Sequence, residues 1–463
     1  MSVNGEKPNI VFILSDDQGA WAMGCAGNPE IRTPNLDRMA ETGMRFSHFF
    51  CTSPVCSPAR ASLLTGRIPS QHGVHDWLRE GNIGQNSIEY LEEQTTYTEL
   101  LAADGYICGI SGKWHLGNSV LPQKGFSHWF VHQGGGSPYY NAPMIRDGQL
   151  TQEPGYITDV ITDNALQFLD RQDTKKPFYL SVHYTAPHSP WIGNHPQDLV
   201  DSYDDCPFDS CPQEPSHPWS IPNAPWGDDT RENLKGYFAA VTAMDANIGR
   251  LLDKLEEMGV RENTLVCFMG DNGFNCGHHG FWGKGNGTFP QNMFDTSVKV
   301  PAIFSHPGRI RQGVVCDELV SGYDFMPTIL DYVHIDHPEA NGLPGRSIER
   351  YLTGEVMVGH EQVVIYDEYG PVRMIRTKEW KYIHRYPYGP HELYDLTADS
   401  GEIYNLADEA DHEARKESMR AMLEKWFHKY VNPAYDGVRE PVTGNGQVTW
   451  VGPKGEGKNA FKV

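Results

Sequence analysis

Continuous apolar runs alternate along this chain with stretches in which apolar residues recur every three or four positions. Asn9-Ile10-Val11-Phe12-Ile13-Leu14, Phe178-Tyr179-Leu180-Ser181-Val182-His183-Tyr184 and Thr264-Leu265-Val266-Cys267-Phe268-Met269-Gly270 are of the first kind, as is Val300-Pro301-Ala302-Ile303. A strand covered on both faces reads this way, whereas a half-exposed strand alternates polar and apolar positions. Strands are therefore expected near residues 10–14, 178–184, 264–269 and 300–304. Between Arg231 and Gly259 the pattern is different: Leu234, Phe238, Val241, Met244, Ile248, Leu251, Leu252 and Leu255 fall on one stripe of a helix. Buried strands alternating with covering helices predict an α/β fold with a doubly wound, mostly parallel sheet flanked by helices.

Beyond about residue 360 the pattern shortens to alternating runs at Gln362 to Tyr366, Arg373 to Arg376, Lys381 to Arg385 and Glu392 to Leu396, followed by a helical stretch from Asp411 to Tyr430. This predicts a smaller C-terminal subdomain, an antiparallel sheet with one helix, over 356–463, and leaves 1–355 as the main α/β domain. Residues 189–229 form a Pro-, Trp- and Asp-rich insertion without periodicity. Loops of that length are functional or stapled by their own side chains. Trp191, His195, Trp219 and Trp226 suit either role, as sugar-stacking faces at a substrate entrance or as internal staples. The Gly-rich segment from Asp436 is expected to wrap the surface.

Chemistry gathers at the ends of the apolar runs. The first runs into Asp16-Asp17, and the run at 264–270 into Asp271-Asn272. Adjacent carboxylates at the carboxyl end of a buried strand repel one another unless a cation lies between them, and that edge is where open α/β sheets bind ligands. Either pair alone equally fits a turn that caps the next helix. Cys56 heads Cys56-Ser57-Pro58-Ala59-Arg60, which fits a nucleophile with a cation four residues on, or a buried small side chain. Lys113 and His115 flank Trp114 and point to one side if the segment is extended. An exposed Lys and a satisfied loop His fit them as well.

Taken in order, these pieces resemble the signatures of the type I sulfatases, within the alkaline-phosphatase-like superfamily. The resemblance runs through Asp16-Asp17, Cys56-Ser57-Pro58-Ala59-Arg60 with Leu63-Leu64-Thr65-Gly66-Arg67, and Gly105 to Gly117. It continues through Ala186-Pro187-His188 and Asp271-Asn272-Gly273 with Lys284, and so covers roughly the first 300 residues. It implies that Cys56 is oxidised by a formylglycine-generating maturation enzyme to an aldehyde. One hydroxyl of the hydrated aldehyde then attacks sulfur and the other expels sulfate. It further implies Asp16, Asp17, Asp271 and Asn272 as ligands of Ca²⁺, with Mg²⁺ the alternative, since both take hard oxygen ligands. Arg60 would hold the nucleophile, Lys113 and Lys284 would neutralise sulfate, and His115 would position or deprotonate the diol. His188 or Lys284 would protonate the leaving alcohol. One departure from the family pattern is Cys108, where Ser or Thr is more usual; that position is taken as structural. His183 reads as a core histidine, and His278, His279 and Trp282 as pocket-shaping or plain loop residues.

The expected activity is hydrolysis of a sulfate monoester on a sulfated mono- or oligosaccharide. The alternatives are a phosphomonoester, phosphodiester or phosphonate hydrolase of the same superfamily, a broad arylsulfatase, or a silent binding protein if Cys56 stays a thiol. Over 463 residues the net charge is −22, which disfavours nucleic acid and requires a local basic pocket for an anionic substrate. No apolar run is long enough to span a membrane, and Met1 to Pro8 is polar. Taken as complete, the chain is expected in the cytoplasm, and in the periplasm or outside if a signal peptide has been removed. Nine scattered cysteines fit a reducing compartment, with Cys206 and Cys211 the one pair close enough to bridge within the insertion.

Overall fold

The computed structural model describes residues 7–173, 175–221, 229–337, 340–355 and 364–462. Among these, ten strands make the main sheet: Asn9–Asp16 (β1), Met44–Phe46 (β2), Ile107–Gly112 (β3), His128–His132 (β4), Ala142–Arg146 (β5), Gln149–Glu153 (β6), Phe178–Pro187 (β7), Thr264–Gly270 (β8), Ala302–Ser305 (β9) and Val314–Cys316 (β10). Their spatial order is β10-β2-β9-β8-β1-β7-β3-β4-β5-β6. The five central strands, β8 to β4, run parallel. Antiparallel partners join at both margins, β9 on β8 and β5 on β4.

Every residue of β1, β7 and β8 is buried, which is why those runs carry no polar stripe. Successive side chains of β1 leave on opposite faces. Val11 and Ile13 meet Ile161 and Phe168 of helix Ile157–Asp170 and Met244, Ile248 and Leu251 of helix Thr230–Glu257. Ile10, Phe12 and Leu14 meet Leu63 and Leu64 of helix Cys56–Thr65 and Phe325 and Ile329 of helix Phe325–Tyr332. Helices thus cover both faces, and the doubly wound expectation holds. Each large apolar side chain so buried stabilises the fold by roughly 1.5–3 kcal/mol. No helix among the described residues is long and apolar enough to cross a membrane.

The second sheet is an antiparallel meander of Ile365–Tyr369 (β11), Val372–Arg376 (β12), Trp380–Arg385 (β13) and Glu392–Asp395 (β14). Helix Glu413–Tyr430 packs Met419, Leu423 and Phe427 onto its Ile375, Tyr382 and Leu393. Gln362 and Val363, expected to open this sheet, lie outside the described residues. An ion cluster bolts the sheet to the larger body: Asp295 receives Arg376 at 3.0 Å and Lys381 at 2.8 Å, and Lys381 also meets Glu402 at 2.5 Å. The Lys381 side chain is 0 % exposed. Lys381→Ala leaves the buried Glu402 without its cation while Asp295 keeps Arg376, so the expected cost is about 3 kcal/mol in urea unfolding at neutral pH. A loss near zero would show that the cluster holds nothing.

Among the described residues of the insertion at 189–229, Ser189 reaches the cavity described below, but the aromatic rings turn inward. Trp191 is fully buried, donates its indole N–H to the Pro187 carbonyl at 2.7 Å, and lies edge-on to Tyr237 and Phe274. His195 bonds the Tyr156 hydroxyl at 2.9 Å, and Trp219 sits beneath the Arg385 guanidinium. Burying Trp191 against the helix at 230–257 removes more apolar surface from water than a solvent-facing platform would. Trp226 lies outside the described residues. Cys206 and Cys211 are free thiols, not a bridge.

Candidate active site

Because β1 and β8 are adjacent and parallel, with Ser15 opposite Gly270, the residues that follow each strand come together. Asp16, Asp17 and Asp271 each offer a carboxylate oxygen within 4.8 Å of the others, and all three are buried. Asp17 takes a left-handed φ of 60°, a conformation that costs an L-residue about 1–3 kcal/mol and is typical of functional turns. Its backbone N–H donates to Asp271 Oδ1 at 3.3 Å. Asn272 donates Nδ2–H to Asp17 Oδ1 at 2.8 Å and to the Gly273 carbonyl at 2.9 Å, which leaves its buried Oδ1 without a partner. Burial, then the neighbouring Asp16, pushes the Asp271 carboxyl up to about 6. Three crowded carboxylates and an orphaned amide oxygen are a donor set that fits a hard divalent cation.

The cationic side chains are interleaved with these acids. Lys113 contacts Asp16 Oδ2, and Lys284 contacts Asp17 Oδ1. Arg60 reaches Asp271 at 2.9 Å and Asp16 at 3.6 Å, and donates to the Lys113 carbonyl at 2.9 Å. Burial opposes ionisation of Asp16, but Lys113, His188 and Arg60 hold its carboxyl well below the usual range. Burial likewise works against the Lys284 ammonium, yet Asp17 first and then Cys56 and Asp16 raise it well above the usual value, so it stays charged.

Cys56 opens the helix Cys56–Thr65. Pro58 is accommodated in the first turn because no intrahelical acceptor is waiting for its missing N–H. Four residues on, Arg60 emerges on the same face. The thiol donates to Asp16 Oδ1 at 3.3 Å, and Lys284 Nζ lies 2.9 Å from Sγ. Burial and then the Asp16 charge push the thiol up to about 12, so an unmodified Cys56 is uncharged at neutral pH and a poor sulfur nucleophile.

Above this cluster opens a cavity of about 800 Å³. Cys56, Asp17, His115, His188 and Lys284 line it; Asp16, Asp271 and Asn272 bond to Cys56 or Asp17, and Arg60 and Lys113 bond to those acids in turn. The assumed extended path through Lys113 and His115 is not what forms. The strand ends at Gly112, whose φ of 118° brings it against the His183 carbonyl where a Cβ would lie 1.9 Å away, and His115 is left-handed at φ 54°. Lys113 consequently reaches down to Asp16 while His115 reaches the cavity wall. Arg60 likewise spends its charge on Asp16 and Asp271 one turn beyond the cysteine.

The carbonyl of Leu78 lies 3.0 Å from His115 Nε2, so that nitrogen carries the proton and the buried, unpartnered Nδ1 is the acceptor. Burial holds the ring well below its ordinary pKa and therefore neutral. Gly135 lets a loop close over it, since a Cβ there would lie 2.3 Å from His115 Cε1. His188 lies 3.6 Å through Nε2 from Asp17 Oδ2, with Nδ1 2.7 Å from the Ser189 carbonyl. His183 is a core histidine, bonded through Nδ1 to the Lys113 carbonyl. His278, His279 and Trp282 do not shape the cavity. His278 packs on Trp21, His279 stacks on Phe294, and Trp282 is buried against Trp191, each satisfying its ring away from water.

Sequence reasoning missed much of the wall: Trp77, Arg79, Asn82, the loop at 132–136, and Gly444 with Asn445. The final segment therefore does more than wrap the surface. The Gly134-Gly135-Gly136 run and the Gly444-Asn445-Gly446 turn were the signals available, since backbone that must pass close to other groups favours glycine.

Known proteins resemble this chain over most of its length. The Sulfatase family model matches residues 8–335, and the model for N-sulphoglucosamine sulphohydrolase, C-terminal, matches residues 277–429. An N-acetylglucosamine-6-O-sulfatase of Bacteroides thetaiotaomicron is 28% identical across 92% of this chain and 87% of its own length. A ulvan-active sulfatase of Formosa agariphila is 30% identical across 90% of this chain and 81% of its own. A solved structure holding its substrate D-glucosamine-2-N,6-O-disulfate matches with a TM-score of 0.79 at 26% identity, over 93% of this chain and 99% of that one.

Proposed function

The chain belongs to the sulfatase family and is a sulfuric ester hydrolase, and from that premise we propose that it removes sulfate from a sulfated saccharide at the floor of the cavity above Cys56. The observation that carries this reading is the convergence on one side chain: Cys56 Sγ lies 3.3 Å from Asp16 Oδ1 and 2.9 Å from Lys284 Nζ, in a cavity large enough for a sugar. The relatives that act on N-acetylglucosamine-6-O-sulfate and on ulvan support a carbohydrate as the alcohol.

Asp16, Asp17, Asp271 and Asn272 are the proposed ligands, of Ca²⁺ in preference to Mg²⁺, because Ca²⁺ tolerates an irregular oxygen cage. The aldehyde made from Cys56 by a maturation enzyme supplies an oxygen nucleophile once hydrated, and the cation supplies polarisation of a sulfate oxygen. The protein's own groups do the rest. Lys284 meets the side chain at 56 and neutralises charge on the sulfate that joins it. Arg60 and Lys113 lock Asp16 and Asp271 in their ionised, inward-facing positions. His115, neutral and with its acceptor nitrogen free, takes the proton of the attacking hydroxyl.

The leaving alcohol takes its proton from His188 or from Lys284, whose ammonium stays charged. With His188 as the donor, His188→Ala should lower kcat by on the order of 10²–10⁴ on a sugar sulfate. The loss should be much smaller on an aryl sulfate whose acidic phenol departs unprotonated. If Lys284→Ala shows that leaving-group dependence and His188→Ala does not, the proton belongs to Lys284. The reading as a whole is tested by sulfate release from a panel of defined sulfated sugars, with paired rates on aryl sulfate, aryl phosphate and an aryl phosphonate. Faster phosphate or phosphonate hydrolysis would overturn it.

A further inference from the structure

Resting on the saccharide sulfatase reading, we propose that Arg79, beside Trp77 at the cavity rim, binds a second anionic group of the substrate, so that the preferred saccharide carries a sulfate or carboxylate in addition to the sulfate that is cleaved. Cys56, Asp17 and His115 are buried at the floor of the cavity, whereas Arg79 and Asn445 are exposed at its mouth. The cavity, at about 800 Å³, has room well beyond a single sulfate group. Its outer wall is built as a receptor for something polar and ringed. The Trp77 indole donates to the Gly444 carbonyl at 2.9 Å and so fixes a partly exposed ring face. Asn82 also lines this wall.

Arg79 is held in place by its backbone, which donates to the Gln447 carbonyl at 2.9 Å. Its guanidinium carbon sits 5.7 Å from the centroid of the Trp77 ring, and one nitrogen donates to the Asn445 carbonyl at 3.3 Å. Among the described residues no carboxylate pairs with it, and the adjacent Glu80 pairs with Lys462 instead. Most of a five-donor fork is left facing the cavity mouth, with the geometry that receives two oxygens of a sulfate or carboxylate. On a chain of net charge −22, a positive group at the mouth of a site for anions opposes the field of the rest of the molecule. Pinning the C-terminal segment through Asn445 uses only one donor and a carbonyl, which does not need a guanidinium.

The test is calorimetric binding to the full chain carrying Cys56→Ala, at fixed ionic strength, with three sugars. One is a neutral sugar bearing one sulfate, one is the same sugar bearing a second sulfate, and one is a monosulfated disaccharide with a uronate. With Arg79 present, one dianionic ligand should bind about tenfold or more tighter than the monosulfate, the gain of one charge-assisted bidentate contact. Arg79→Gln should remove that margin, and the arm that shows it tells a second sulfate from a carboxylate. Equal affinity for all three ligands would overturn the proposal, as would an Arg79→Gln change that weakens all three alike, which is what a pinning role predicts. Failure of the hydrolase reading is separate: the unaltered protein would release no sulfate whatever its binding preferences.

Discussion

Replacing Cys56 by alanine should abolish sulfate release, lowering kcat by a factor on the order of 10⁶, while the protein keeps its fold. The site offers nothing to take over. The nearest groups are Asp16, already spoken for by Lys113 and Arg60, and Lys284, a charged ammonium with no lone pair. The structural cost is small because position 56 opens a helix where alanine is acceptable, and the lost sulfur removes only one buried atom, about 1 kcal/mol. Cys56→Ser is the more pointed comparison. A serine hydroxyl can be sulfated, but it has no second hydroxyl to expel the sulfate, so that variant should trap at most one equivalent and stall. Peptide mass gives an independent check, since oxidation of the thiol to an aldehyde lowers the residue mass by about 18 Da. Full activity in a protein whose residue 56 still has the mass of cysteine would remove the nucleophile from the mechanism.

How much of this could be read from the chain depends on whether a local pattern carried it. The strands at 9–16, 178–187 and 264–270 were legible because burial on both faces leaves an unbroken apolar run. The acids at their ends were legible because parallel neighbours place their carboxyl termini side by side. Lys113 and His115 were legible as residues but not as geometry. Two left-handed positions, Gly112 and His115, send them to different depths, and no alternation rule describes that. The aromatics of the insertion were left between two roles for another reason. A Trp on a Pro-rich loop has the same composition whether it faces a ligand or its own helix, and here Trp191 chose the helix. The rim was invisible because Trp77, Arg79, the loop at 132–136 and Asn445 come from three distant segments, joined by backbone bonds such as Gln447 N–H to the Trp77 carbonyl at 2.8 Å.

Asp271→Asn should weaken cation retention by about 100-fold or more and activity with it. The substitution keeps shape and removes one charge from a site whose logic is charge balance. In the unaltered protein, Asp271 is pressed by burial and by Asp16 toward protonation, while Arg60 bonds it at 2.9 Å. A divalent ion would relieve that pressure on Asp271, so binding it should also stabilise the fold. Adding Ca²⁺ to chelated, unaltered protein should therefore raise its melting temperature as RT ln(1 + [L]/Kd) requires, and restore activity. The Asp271→Asn protein should need a proportionately higher concentration for the same shift, and comparing Ca²⁺ with Mg²⁺ identifies the native ion. Melting is the decisive readout because it reports the cation without reference to turnover. If chelation followed by dialysis leaves both melting and sulfate release unchanged, the four oxygens are a hydrogen-bonded turn held by Lys113, Lys284 and Arg60, and the cation has no part in the reaction.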